Sequence, residues 1–503
     1  MTCVVSLITY DPALRCVLIP RMKVVVVGAG IAGLAATLAF ARRGHEVTVL
    51  ERDRTDPPGD PALAFDEWAR PGVGHFRQPH LFLSLGRKVL RDEFPDVLAD
   101  LIAAGALEID FRARVPGGPE REDDDLVGLS CRRPFVEAVL RSAAVSEPGV
   151  TIRPDLRVET LVADTGMPPR VTGVRTQQGE HIPADLVVDA SGRGTRSARW
   201  LAEIGAQPML EESEDCGLMY NCRYFRFRDG HALPTTQSLF GPRGDLGYMG
   251  FATFPGEAGS WALALSPAAR DVELRVVRHE PAFMAAARSI APIASLVSAE
   301  VSEPMTEVMP MGELRNVLRS VIVDGQPVVL GFQPVGDALA HTNPSWGWGL
   351  SIALAQAVRL AELAGPAGGD PRALALAFEA SAGVQAAGWV RASIAADRAR
   401  LRMWRGEAGD PTRADADFPL FLQAVLFPAA AVDREIFRAT NRRQHLLDPV
   451  EALPTDRPLL QRAAALMAER RKTAPAPVRP GPTRDELIRL MGEAMAAAGA
   501  PPA

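Results

Sequence analysis

The chain has 503 residues, 47% hydrophobic and 23% charged, enough for a large globular core and too long for one ordinary domain. A net charge of −6 excludes the basic footprint of a nucleic-acid-binding protein, and the three lysines (Lys23, Lys88, Lys472) among 55 basic residues reflect base composition and not a binding surface. Five cysteines without a C-x-x-C pair exclude a disulfide scaffold and a zinc ribbon; free thiols suit a reducing cytosol, so a cytoplasmic location is expected.

Residues 1–21 lack the basic start and small-residue cleavage site of a signal peptide, and a strand pattern begins afresh at Met22, so this leader is expected to stand outside the fold. The run Met22-Lys-Val-Val-Val-Val reads as a strand buried on both faces. A glycine loop, a helix from Leu34 to Arg43 and a second strand Glu46–Leu50 complete a βαβ unit. Residues 53–61 are loop by composition, and 87–104 and 132–144 are helical. Residues 150–162 and 171–174 alternate like antiparallel strands, with a turn at Gly179-Glu180, and Asp185–Asp189 is again a buried strand.

Aromatic and alternating residues gather between 210 and 325, which predicts a mostly antiparallel sheet inserted into an α/β core. A strand at 328–332, Gly336-Asp337 and a small-residue helix to Leu363 return to that core. The remainder is helical, with a proline-rich linker at 473–483 and a last helix opened by the capping box Thr483-x-x-Glu486. Its stripe of Leu487, Leu490, Met491 and Met495 is expected to dock on the body of the protein. No segment reads as a membrane span: Phe418–Val432 is too short and carries Pro419, Gln423 and Pro428. The domains expected are therefore a Rossmann-like domain of 22–209 and 326–365, a substrate-binding sheet domain of 210–325, and a helical region of 366–503.

Gly28-Ala-Gly30-Ile-Ala32-Gly33 follows a buried strand, opens a helix and has Glu51 at the end of the next strand. That context makes it a dinucleotide site: Gly28 for the tight turn, Gly30 for approach to a pyrophosphate, Gly33 for helix packing, Glu51 for an adenosine ribose. Glu51 would repel a 2′-phosphate, which disfavours NADP here, and Arg52 follows it.

Two later motifs occur in order: Asp189-Ala-Ser191-Gly192-Arg-Gly-Thr-Arg-Ser197, and Gly336-Asp337 followed by Pro344, Gly347 and Gly349. With the glycine loop and Glu51 they resemble the flavoprotein monooxygenase superfamily over residues 22 to about 363. The resemblance implies FAD as cofactor, with Asp337 on the ribityl chain and the following helix start facing the flavin ring; Gly-Asp before a helix also fits a helix cap. It implies that Arg133, before Pro134, lies along FAD, with Arg132 or a plain surface charge as alternatives. The stretch from Arg70 to His80 resembles a loop that runs past the flavin, which makes His75 and His80 the catalytic candidates, against a reading as ordinary loop histidines.

Ser191-Gly192 stands where single-component aromatic hydroxylases carry Asp-Gly, and resembles epoxidases, halogenases and prenyl reductases. That disfavours direct reduction by NADPH and favours a separate flavin reductase. Halogenase is disfavoured because Trp346-Gly-Trp348 lies inside the late motif and no lysine is suitably placed. No G-x-S-x-G or H-E-x-x-H motif and no His/Cys metal cluster is present. The expected function is FAD-dependent epoxidation or hydroxylation of an apolar small molecule in secondary metabolism, by a flavin C4a-hydroperoxide formed from dioxygen. The alternative is an FAD-dependent reductase or dehydrogenase of a lipid-like or polyketide substrate.

Overall fold

The valine run Lys23–Val27 lies at the centre of a five-stranded parallel sheet, in the order 332–334, 186–189, 23–27, 46–50, 150–153. This computed structural model describes residues 21–234, 241–473 and 479–499. The expected leader, apart from Arg21, and residues 474–478 of the expected linker lie outside the described residues. Val24, Val25 and Val26 are almost wholly buried because helices cover one face of the sheet and residues 156–201, with Val158, Val174 and Trp200, cover the other, which is why the strand shows no polar alternation. The helices Ile31–Ala41, Arg133–Ser146 and Gly349–Ala364 pack together on one face of the sheet.

Two expected strands change place. Val150–Arg153 is not antiparallel; it follows the helix Arg133–Ser146 and pairs in parallel with Glu46–Leu50, a crossover that a helix makes natural. The antiparallel group is Val158–Ala163, Val171–Thr176 and His181–Pro183. The returning core strand is Phe332–Pro334, shorter and later than 328–332, since Gly331 takes a left-handed turn just before it.

Between these core strands lies a six-stranded antiparallel sheet built on Tyr220–Phe227, Met249–Pro255 and Ser260–Pro267. The strand Leu210–Asp215 stands apart from it and pairs with Arg315–Ser320, which in turn pairs with Ala340–His341. The inserted region is thereby stitched to the core at both its ends.

The helix Arg484–Ala497 is capped as its sequence demands: the Thr483 amide donates to Glu486 Oε2 at 2.8 Å and the Glu486 amide donates to Thr483 Oγ1 at 3.3 Å. Its Leu487, Met491 and Met495 are buried against the helix Glu280–Ser289 of the inserted region, and Leu490 is half-buried. One helical run, Pro371–Trp404, is long and apolar enough to cross a membrane by length and composition, contrary to the expectation of no such segment. Phe378, Ala386, Trp389 and Val390 of that run are buried in the protein core, which accounts for its hydrophobicity.

Candidate active site

A cleft of about 570 Å³ crosses the carboxyl ends of the strands 23–27, 46–50 and 186–189, where open α/β sheets bind their ligands. Gly28 turns the chain at φ +101°, and a Cβ there would sit 2.7 Å from the Ala190 carbonyl oxygen. Gly33 does not face the cleft. Its missing side chain lets the helix lie on the turn, since a Cβ would fall 1.9 Å from the Gly28 carbonyl oxygen. Gly30 and Ala32 do line the cleft, at the start of the helix Ile31–Ala41, whose first turn has no side-chain cap. The helix Gly349–Ala364 also starts here uncapped, with Gly349 and Leu350 on the lining. Two helix N-termini therefore offer free N–H groups and positive dipole ends to one cleft.

Glu51 is buried and ordered by three donors. Its Oε2 accepts from the Ala29 amide at 2.7 Å and pairs with Arg70, and its Oε1 accepts from the Asp53 amide at 2.9 Å. Of about four acceptor positions on a carboxylate, one on Oε1 remains. Burial disfavours the charge, but Arg70 and the two amides outweigh it and hold the carboxyl below its usual range. Arg70 also pairs with Glu137 at 2.6 Å and Asp53 at 3.3 Å, and donates to the Ala29 carbonyl at 2.8 Å. Its guanidinium is buried, which opposes the cation, yet the carboxylates around it raise its pKa further. Sequence reasoning missed Arg70 as an anchor, because its partners come from three separate stretches of chain. Arg52 lines the cleft and donates to the Gly72 carbonyl.

Arg133 reaches the cleft from the start of its helix. It donates to Glu137 Oε1 at 2.6 Å and lies 2.5 Å from His75 Nε2 and 3.5 Å from His80 Nε2. Burial and then Arg133 push His75 well below its ordinary value and His80 down to about 3. Both rings are neutral at pH 7, so each Nε2 accepts from Arg133, and His80 Nδ1–H donates to the Gln78 carbonyl at 2.7 Å. His75 lines the cleft; His80 stands behind it. Arg132 does not serve in place of Arg133: it forms a buried ion pair with Glu257 at 2.5 Å, turned toward the inserted sheet.

Asp189 is fully buried and faces its own loop. It accepts from the Ser191 amide at 2.9 Å, the Ser191 hydroxyl at 2.6 Å, and the hydroxyls of Thr195 and Ser197. The loop it shapes brings Ser191, Gly192 and Arg193 to the cleft. Arg193 lies 3.5 Å from Asp337, which lines the cleft from the opposite side. Burial disfavours the Asp337 charge, and His341, Arg193 and Arg133 outweigh it, so its pKa is lowered. Gly336 lies behind Asp337, with its amide donating to Gln356 Oε1 at 2.8 Å.

The chain from Asn343 to Gly349 separates this cleft from a second, much smaller cavity. Gly349 lines the first; Gly347, Trp346 and Ser345 line the second, a space of about 30 Å³ walled by Leu81, Leu83 and Phe254. Pro344 lines neither and starts the turn between them. Asn343 anchors that turn. Its Nδ2 donates to Asp397 Oδ1 at 2.6 Å, and its Oδ1 accepts from the Tyr220 hydroxyl at 2.8 Å and the Ser345 amide at 2.9 Å. Asn316 donates to the other Asp397 oxygen at 2.8 Å. Burial pushes the Asp397 carboxyl up to about 6. No sequence signal marked Asp397, a helical acid distant in sequence from the loop it holds.

The family description "FAD dependent oxidoreductase" matches residues 23–114. Protein Rv3254 of Mycobacterium tuberculosis is 29% identical over 68% of this chain and 72% of its own length. Kynurenine 3-monooxygenase of Salinispora arenicola is 33% identical, over 34% of this chain and 36% of that enzyme. Squalene epoxidase 3 of Arabidopsis thaliana is 25% identical over 69% of this chain and 60% of that protein. Among solved structures, the flavin-dependent brominase Bmp2 superposes with a TM-score of 0.60 at 16% identity, over 90% of this chain and all of that one. The anhydrotetracycline hydroxylase OxyS of Streptomyces rimosus gives 0.54 at 19%, over 85% and 76%. These two likenesses are of fold.

The protein is thus an FAD-dependent oxidoreductase. It shares its fold with the flavin-dependent brominase and the hydroxylase on which it superposes. The cleft fits that cofactor on its own chemistry. Its glycine turn leaves no room for side chains where a diphosphate must approach, two helix starts supply free N–H groups, Glu51 keeps one acceptor position, and Asp337 is an ionised acceptor further along.

Proposed function

We propose that this protein is a monooxygenase that epoxidises or hydroxylates an apolar small molecule. The observation that carries the reading is the Asn343–Gly349 loop, which has the cofactor cleft on one side and a small, largely apolar cavity on the other. The far side of that loop is lined by Leu81, Leu83, Phe254 and Trp346, apolar side chains that keep water from the ring end of the cofactor. The sequence relationship to kynurenine 3-monooxygenase and squalene epoxidase 3 supports the same class of reaction.

The residue roles follow from placement. Gly28, Gly30 and Ala32 admit the diphosphate to the helix start, Glu51 accepts from the adenosine ribose, and Asp337 accepts from the ribityl hydroxyls. Gly192 and Gly349 close the cleft around the ring end, and Arg133, held by Glu137 and neutral His75, supplies positive charge beside it. When bound and reduced, FAD supplies the chemistry that activates dioxygen. The protein positions substrate and keeps water out; no ionised side chain of the small cavity is needed as acid or base. Electrons come from a separate flavin reductase, and dioxygen is the second substrate.

The test is turnover under labelled dioxygen with a reductase and candidate alkene or aromatic substrates. One labelled oxygen atom per product molecule is expected. Unlabelled product formed without dioxygen replaces this reading with a reductase or dehydrogenase.

A further inference from the structure

Two histidines rest on one guanidinium. Arg133 Nη1 lies 2.5 Å from His75 Nε2 and 3.5 Å from His80 Nε2, and the two rings stand 5.5 Å apart. A guanidinium carries donors only, so the ring nitrogen it meets presents a lone pair. The proton of the neutral ring is therefore on Nδ1. Arg133 is not free to turn away and reopen this choice, because the fully buried Glu137 holds its Nε at 2.6 Å.

The two Nδ1–H groups differ in what they meet. His80 Nδ1 donates to the Gln78 carbonyl at 2.7 Å, and its ring stands behind the cleft. His75 lines the cleft, and among the described residues nothing accepts from its Nδ1. Nor is that nitrogen sealed inside the protein, so its N–H opens on the cleft. The groups that act on the ring are Arg133 from the helix Arg133–Ser146, Arg193 from the loop after Leu186–Asp189, His80 on the same loop and His341 from the strand Ala340–His341. Asp337 lies beyond them and is paired with Arg193 at 3.5 Å. Burial and these cations oppose a second proton on the ring.

Placement along the cleft divides the work between neighbours. Arg133 Nη2 stands over the glycine turn, 3.6 Å from where a Cβ of Gly30 would lie, which is the diphosphate end. His75 sits on the other nitrogen of that guanidinium, and its further neighbours Arg193 and His341 are the groups that act on Asp337.

We propose that His75 is a hydrogen-bond donor to the flavin half of FAD, fixed by Arg133 as the Nδ1–H tautomer, a role that depends on the cofactor and not on the reaction. It orients an acceptor atom of the cofactor and moves no proton.

Two measurements test this. The first needs no substitution: the FAD-loaded, full-length protein is prepared with nitrogen-15-labelled histidine and its ring resonances are followed from about pH 5.5 to 9. The His75 signals, identified by their loss in His75→Asn, should keep the Nδ1–H pattern across the range. An Nε2–H pattern, or a ring that gains a proton within the range, overturns the proposal. The second compares FAD and ADP binding to the full chain freed of FAD. His75→Phe should weaken FAD about two- to ten-fold, the scale of one neutral hydrogen bond, and leave ADP affinity unchanged, which also shows that the cleft is folded. His75→Asn, whose amide N–H can stand where the Nδ1–H stood, should recover most of the loss. FAD affinity untouched by His75→Phe, equal weakening of ADP and FAD, or no recovery in His75→Asn overturns the assignment. A protein that meets these expectations yet incorporates no labelled oxygen keeps this donor and loses the monooxygenase reading.

Discussion

Arg70 and Glu51 show how a cofactor-binding acid is kept charged in a buried place. Glu51, Asp53 and Glu137 each rest within reach of one guanidinium, and all four side chains are almost inaccessible to water. Removing Arg70 leaves buried carboxylates uncompensated, a change that typically costs ~3–5 kcal/mol. Arg70→Ala is therefore expected to lower the denaturant midpoint sharply and to lose FAD, whereas Arg70→Lys keeps charge without the fork that serves several partners. An unchanged urea midpoint in Arg70→Ala contradicts this account. Asp337 behaves differently, since it faces the cleft and no described helix or sheet depends on its side chain for a cap. Asp337→Ala should weaken FAD by about ten- to a hundred-fold, the worth of a charge-assisted hydrogen bond, with the apoprotein melting as before. Equilibrium dialysis with FAD measures the first, and calorimetry of the apoprotein the second. The glycines and Glu51 were legible because one βαβ unit delivers them within a short stretch of sequence. Arg70 was visible only as a member of a loop, since nothing local tells which distant acids a guanidinium will meet.

The loop from Asn343 to Gly349 is held by a network drawn from three elements. The strand Tyr220–Phe227 gives Tyr220, the strand Arg315–Ser320 gives Asn316, and the helix Val384–Trp404 gives Ser393 and Asp397. The carboxyl at its centre titrates at about 6 in the fold and at 3.8 ordinarily. The folded state thus binds this proton more tightly than the unfolded chain does. The stability it contributes is complete below about pH 4 and is lost as pH rises through 6. Asp397→Asn removes that dependence. Urea unfolding at pH 4, 5, 6 and 7 should show the parent protein losing on the order of 2–3 kcal/mol more than the variant across this window. Parallel profiles for the two proteins rule out a raised carboxyl. Sequence reading located Pro344, Gly347 and Gly349 by their spacing but not the acid beneath them, because a buried acid in a helix leaves no periodic trace. The same limit explains the misplaced strand: Val150–Arg153 is too short to reveal whether its neighbours run parallel or antiparallel, and only the preceding helix decides it.

Across the whole molecule, the inserted sheet is completed by a helix encoded far from it. Leu487, Met491 and Met495 close over the helix Glu280–Ser289 and lie remote in the fold from the cofactor cleft. Their burial is worth ~1.5–3 kcal/mol per side chain. Ending the chain after Thr473 should lower the melting temperature and expose dye-binding surface. The FAD bound per molecule of protein that remains soluble should be unchanged, since the cleft residues precede the cut. Loss of FAD in step with the cut, at unchanged melting temperature, speaks against this division of labour. The Thr483 capping box and the apolar stripe made this helix legible in advance; its partner surface was not, because a stripe says that something is covered and not what. The same arrangement bears on synthesis. During translation, the sheet and the helix that starts at Glu280 leave the ribosome about two hundred residues before their cover does. Nascent chains thus carry an uncovered greasy face for ~10–40 s at usual elongation speeds, an interval in which holdase chaperones have something to grip and crowded polysomes have something to stick to.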